Sequence, residues 1–403
     1  MELISKEQGN VNYRWVILGL LFSIQAAGSM AVFAFGPLAP VLQEILGVTR
    51  AQVGMFSSVI YLGMMVFGTH AGWLTDRYGI RLFLLVGSGA LGLLFSMIAL
   101  SRSFPLTLLI VFIAGIGYQF INPATLKGLA LWFPPKLRAT VIGIKQGGVS
   151  FGGAVASAIL PFLVSYIGWQ GSIVFIGVVI FIITLIVAFF YREPEVKLFS
   201  SDEKLRAESQ GILRLLRNRD LILLGVSGAM YGISANSFCA YLVLYLKESF
   251  SMSIIMAGSL LAVSQVGTMF GRILWGTLSD WYFGGNRKVP FSIIGFLIAI
   301  MCGMTKWILP LSSYWANFIF FAIFGFSLGF NGLYLTFAAE VGQEMMGTSV
   351  GYATAIWALG VVIGVPIFGY IADKTSSYDL SWVYLTILAL IGAGLALFTR
   401  ERK

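Results

Sequence analysis

Three basic residues stand where a basic residue costs most. Lys127, Lys145 and Arg272 each fall inside an apolar run long enough to cross a bilayer, and no acidic residue stands near the middle of any such run. An ionised side chain at that depth is expensive, and it normally faces a bundle interior or a wet cavity. Positive charge without a matching carboxylate is satisfied by an anion brought from outside. A guanidinium holds a carboxylate through two parallel hydrogen bonds, whereas an ammonium acts as a point charge. Arg272 lies eight residues before Asp280, about 12 Å along a helix at ~1.5 Å per residue. Gln265 and Thr268 precede it on the same helical face. Lys145 lies seven residues beyond Arg138, about 10 Å inward by the same rise. Either cation can bind a substrate, and snorkelling to the interface is the structural alternative. Lys127, close to Trp132-Phe133-Pro134-Pro135, reads as the snorkelling one.

Other chemistries are excluded by what is missing. One histidine, His70, and two cysteines, Cys239 and Cys302, supply neither a zinc site nor a disulfide framework. His70 can titrate near neutral pH, but it lies near the end of its run and reads as structural. No acid–base or metal constellation of an enzyme is present. No G-x-x-x-x-G-K-[S/T] loop cradles a nucleotide phosphate. The sequence therefore predicts no cofactor, no metal and no catalytic residue.

The elements that must position these residues follow from composition. Of 403 residues, 58% are apolar and 11% charged, with a mean hydropathy of +0.89. A soluble domain carries about 45–50% apolar and about 25% charged residues. Twelve runs approach the ~20 residues that a spanning helix needs. They fall at 13–36, 51–74, 81–100, 105–127, 138–164, 169–191, 219–246, 253–279, 288–309, 313–338, 347–372 and 380–399. The first is too long and too polar at its flanks for a cleavable signal. A charged connection at 192–218 divides the chain into 1–191 and 219–403, and 201–217 is predicted as a surface amphipathic helix. Of the 26 basic residues, 18 lie on the side of the termini and the central connection and five on the other. That bias predicts cytoplasmic termini in the cell membrane. The net charge of +9 is then mostly topology, with the lipid bilayer as partner and no nucleic acid.

The two halves repeat. Gly72-Trp73-Leu74-Thr75-Asp76 follows span 2 and Gly276-Thr277-Leu278-Ser279-Asp280 follows span 8, both G-x-L-[S/T]-D and 204 residues apart. With Arg77, Tyr78, Gly79 and Arg81, the first copy resembles the signature loop of the major facilitator superfamily, and the twelve spans and long central connection agree with it across the chain. The resemblance implies an all-α membrane protein of twelve transmembrane helices in two pseudo-symmetric six-helix bundles. It implies a monomeric secondary transporter that works by alternating access. Gly72, Asp76, Arg77, Arg81, Gly276 and Asp280 would be gating parts. In the outward-open state, Asp76 would meet the start of span 11 and Asp280 that of span 5.

Arg272 to Asp280 is further similar to span 8 of oxalate/formate exchangers and bacterial monocarboxylate carriers, where the arginine contacts substrate. The oxalate exchangers carry a lysine in span 11, and here Trp357 stands in that region. Nitrate carriers of the superfamily use a second arginine in span 2, where Gly68 stands. Drug/proton antiporters carry a Gly-Pro pair in span 5, absent from Gly152-Gly153. The expectation is a small organic anion, a monocarboxylate first, carried with protons or against a counter-anion. Nitrate, cyanate or a sugar acid is the alternative; a multidrug/proton antiporter or non-transporting sensor ranks lower. Candidate substrate-binding residues are Arg272, Lys145, Tyr61, Tyr118, Gln119, Gln265, Asn236, Asn331, Tyr334 and Trp357, with Gln25 and Asn122 as further polar candidates in the cavity-lining spans 1 and 4.

Overall fold

The computed structural model describes residues 2–193, 217–311, 313–342 and 345–400. For residues 2–12, 69, 72, 73, 76, 135, 136, 139, 309–311 and 314, only the backbone is described. The amphipathic helix expected at 201–217 falls, but for Arg217, outside the described residues.

Nearly every described residue is helical, as a bilayer without water to satisfy backbone groups demands. The helices are α1 (Glu2–Phe33), α2 (Phe35–Leu46), α3 (Arg50–Tyr78), α4 (Ile80–Met97), α5 (Phe104–Trp132), α6 (Pro135–Phe190), α7 (Arg219–Phe250), α8 (Ile254–Trp281), α9 (Lys288–Leu311), α10 (Tyr314–Ser327), α11 (Asn331–Gly342), α12 (Met346–Thr375) and α13 (Asp379–Phe398). Eleven helical stretches among the described residues are long and apolar enough to cross a membrane. One of them, Thr140–Phe190, has 51 residues and contains two spans. It breaks at Gly168, whose φ of 71° and ψ of 173° are not helical. Glycine reaches such a φ without a Cβ clash, and the break falls where the sequence separates spans 5 and 6. The protein is thus an all-α membrane protein of twelve spanning helices.

Two spans depart from single rods. Span 1 continues past residue 36 as α2, to Leu46. Pro37 sits in the first turn of α2, where a missing N–H is tolerated. Span 10 is broken between α10 and α11: Leu328 caps α10, and the helix restarts at Asn331.

Two compact units result. One comprises residues 1–34 and 63–198, the other 35–62 and 199–403. In the first, α1 lies along the beginning of α6, where a Cβ at Gly152 would run into the carbonyl of Ala26. Small residues that admit close backbone approach are how helices associate where lipid is as apolar as the side chains. In the second unit, α8 meets α10 through Gly325, against the backbone of Ser264. The second unit also takes in α2 and the first turns of α3.

Candidate functional site

In the first unit the candidate residues with buried polar contacts gather on α1, α5 and α6. Lys145 is 0% exposed, and its Nζ donates to Asn122 Oδ1 at 2.5 Å. Asn122 precedes Pro123, which offers no N–H to the carbonyl of Gln119 one turn back. Gln119 Nε2 stands 3.7 Å from where a Cβ on Gly68 would be. The buried Tyr118 hydroxyl accepts from Gln25 Nε2 at 2.9 Å and shares a 3.0 Å hydrogen bond with Ser29. Gln25 is 1% exposed, and its Oε1 finds no hydrogen-bond partner among the described residues.

At the signature loop, Gly79 takes φ 93° and α4 begins. The Ile80 N–H donates to Glu193 Oε1 at 2.6 Å, and Arg81 Nε donates to the Ala188 carbonyl at 2.5 Å. The loop is thereby fastened to the end of α6. Lys127 reaches the same region, donating to the Thr75 carbonyl at 3.2 Å. The Arg77 guanidinium lies 5.4 Å from the centre of the Tyr78 ring, and His70 is exposed beside Phe67. Of Gly72 and Asp76 only the backbone is described, as helix within α3.

In the second unit, Arg272 sits half-buried on α8, opposite the break in span 10. A Cβ at Gly329 would lie 2.6 Å from Arg272 N, so only glycine lets the broken segment approach α8 so closely. At the break the carbonyls of Gly325 and Phe326 accept from the Leu328 and Gly329 N–H groups at 2.9 and 3.2 Å, in place of α-helical bonds. Thr268 Oγ1 donates to Gly325 O at 2.9 Å, and Trp275 Nε1 to Phe326 O at 3.1 Å. Thr268 and Trp275, four residues before Arg272 and three after it, therefore support the break. Gln265 Nε2 lies 3.5 Å from Cys239 Sγ. Asn331 opens α11, while the buried Tyr334 hydroxyl donates to Ala353 O at 2.7 Å, tying span 10 to span 11.

Tyr61, Asn236 and Trp357 form a second group in this unit. Tyr61 and Trp357 meet edge to face at 5.4 Å, and a Cβ on Gly232 would strike Trp357 Nε1. Asn236 Nδ2 donates to Gly232 O at 2.8 Å. Trp357 Nε1 is buried with no acceptor among the described residues.

The second signature copy is held by Arg287, which pairs with Asp280 and, at 3.0 Å through Nε, with Glu340. Burial lowers the Arg287 pKa, but the hydrogen bonds to Asp280 and Glu340 outweigh it, leaving the group above its ordinary value and charged. Gly276 faces open space. Sequence reasoning missed Glu193, Arg287 and Glu340 as partners of the two loops; their position just past or before a span was the available signal.

Twelve apolar helices with an internal signature repeat define a multi-pass membrane protein. The family model described as Major Facilitator Superfamily matches residues 21–365, and the chain belongs to that superfamily. It is 24% identical to the probable sulfoacetate transporter of Cupriavidus necator, over 96% of this chain and 94% of that one. It is 23% identical to a hexuronate transporter of Bacillus subtilis, over 89% and 86%. Among solved structures it resembles a bacterial homolog of the human lysosomal transporter Spinster, with a TM-score of 0.79 at 20% identity, covering 96% and 97% of the two chains.

Proposed function

We propose that this protein carries a small organic-acid anion across the cytoplasmic membrane, with both termini in the cytoplasm. The six-helix halves 1–191 and 219–403 rock about a central site, joined by 192–218. Arg272 binds a carboxylate with its guanidinium fork, and Lys145 supplies a second positive charge from the other half. What carries the reading is one deeply embedded cation in each half, Arg272 and Lys145, with no acidic residue at comparable depth; Lys127, the third, stands at the end of span 4. Gln265, Gln119, Tyr61 and Trp357 complete the binding surface, while Tyr118, Asn236, Asn331 and Tyr334 position it. Gly72, Asp76, Arg77, Arg81, Gly276 and Asp280 act in gating. The protein works as a monomer, by proton symport or anion exchange.

A monocarboxylate is the first substrate class. A sugar acid or a sulfonated acid is the second, favoured by the hexuronate and sulfoacetate carriers among the relatives. The test is counterflow in liposomes with labelled lactate-like monocarboxylates, hexuronates, sulfoacetate and nitrate, repeated across pH. Arg272→Gln should abolish counterflow of every carboxylate while the purified protein still elutes as a folded monomer. Full counterflow by that variant, or counterflow of nitrate alone, would overturn the organic-acid reading.

A further inference from the structure

The end of α12 reads Gly369-Tyr370-Ile371-Ala372-Asp373-Lys374, which shares the G-x-x-x-D-[R/K] spacing of Gly72-Trp73-Leu74-Thr75-Asp76-Arg77 but has Ile and Ala where that segment has Leu and Thr. It occurs at the far end of a span from the other two copies in the proposed orientation. Its aspartate caps another helix: Asp373 Oδ1 and Oδ2 accept from the backbone N–H groups of Arg50 and Ala51 at 3.0 and 2.9 Å. Those N–H groups belong to the first turn of α3, which has no intrahelical acceptor and carries the positive end of the helix dipole.

The Arg50 side chain completes the arrangement. Its Nε pairs with Glu248 Oε2 at 2.8 Å, and Nη1 donates to the Ala372 carbonyl at 3.3 Å. The guanidinium lies 5.2 Å from the centre of the Tyr378 ring, and the Tyr378 hydroxyl donates to Glu248 Oε2 at 2.7 Å. Burial, and then the Glu248 carboxylate, push the Tyr378 pKa up, so the hydroxyl keeps the proton it donates. Tyr241 Oη donates to the Arg50 carbonyl at 2.9 Å, in a space that Cβ atoms at Gly54 and Gly369 would fill. All these residues lie in the second unit, yet 35–62 continues at both ends, through Ala34 and Gly63, into the first.

We propose that Gly369–Lys374 is an inverted counterpart of the signature loop and, with Arg50, Glu248 and Tyr378, forms a polar latch that holds residues 35–62 against α7 and α12 while the extracytoplasmic face is shut. Arg50 and Glu248 side chains remain 23% and 25% exposed, so water competes for the pair and its contribution is modest. Such a contact opens repeatedly, as a transport cycle demands. The latch is independent of which anion is carried.

Hydrogen exchange read by mass spectrometry on the full chain in nanodiscs tests this without any substrate. In Asp373→Ala, amides across 35–62 and in the facing ends of α7 and α12 should exchange together, roughly tenfold faster, with α9 and α13 unchanged, because segments that move open as cooperative units. An unchanged profile would overturn the latch. So would acceleration confined to the first turn of α3, which would leave Asp373 a simple helix cap. Should exchange rise throughout the chain, the variant has lost its fold, and Tyr378→Phe decides. Removing that one hydroxyl should accelerate the same segments by a smaller factor, and no change there would count against the proposal.

Discussion

The two units hold their embedded cations in different ways. In the first, Lys145 is wholly enclosed on α6 and held by the neutral amide of Asn122 on α5. In the second, Arg272 is only half-buried, and the helix facing it is broken at residues 328–330. By the 204-residue repeat, the counterpart of Arg272 is Gly68, beside which Gln119 finds room. A duplicated scaffold has thus kept its signature loops while diverging at one depth. One half offers a shielded point charge and the other a directional fork.

Several substitutions would break or sharpen that contrast. The largest effect is expected from Arg272→Lys, which keeps the charge and loses the fork. Liposome uptake should fall by about 100-fold, close to 3 kcal/mol if the carboxylate is held bidentately. A loss below threefold would make the guanidinium geometry irrelevant. Lys145→Met should cut uptake less, by about tenfold. Its melting temperature should hold or rise, because an apolar side chain of similar length carries no desolvation penalty. Equal losses in the two variants would erase the distinction between fork and point charge.

The glycines give the next contrast, read by thermal unfolding in detergent. Gly329→Ala forces a Cβ into the backbone of Gly271 and Arg272 and should destabilise by about 1–3 kcal/mol. Gly68→Ala meets its nearest neighbour at 3.7 Å and should stay within about 0.5 kcal/mol. Thr268→Val, which removes one hydrogen bond to the break, should fall between the two glycine variants, at about 1 kcal/mol.

Much of this was legible in the sequence because a bilayer imposes it. Apolar runs of spanning length, the 204-residue repeat and the depths of Lys145 and Arg272 need no knowledge of tertiary contacts. The junction at Gly168 was legible too, since it separates two complete runs. What stayed hidden depends on which helix meets which. Span 1 was expected to end at 36, yet its apolar character persists to Leu46. Nothing local says that Tyr334 spends its hydroxyl on Ala353 O, or that Glu193 caps α4. Two signals were available: Gly329 and Gly332 flank a polar Asn331 inside a span, and the Gly-to-Asp spacing of the signature recurs at Gly369 and Asp373.

The broken span has a consequence for assembly. Trp315–Gly342 has 28 residues and is apolar enough to enter a bilayer by itself. At the break the carbonyls of Gly325 and Phe326 keep only the tight bonds from the Leu328 and Gly329 N–H groups, at 2.9 and 3.2 Å, whose geometry is poorer than that of an α-helix. Thr268 and Trp275 add a second donor to each from α8. The broken shape is therefore reinforced by the helix it docks on, and lesions at Thr268 or Trp275 should surface during biogenesis as a span 10 that inserts but packs poorly against α8.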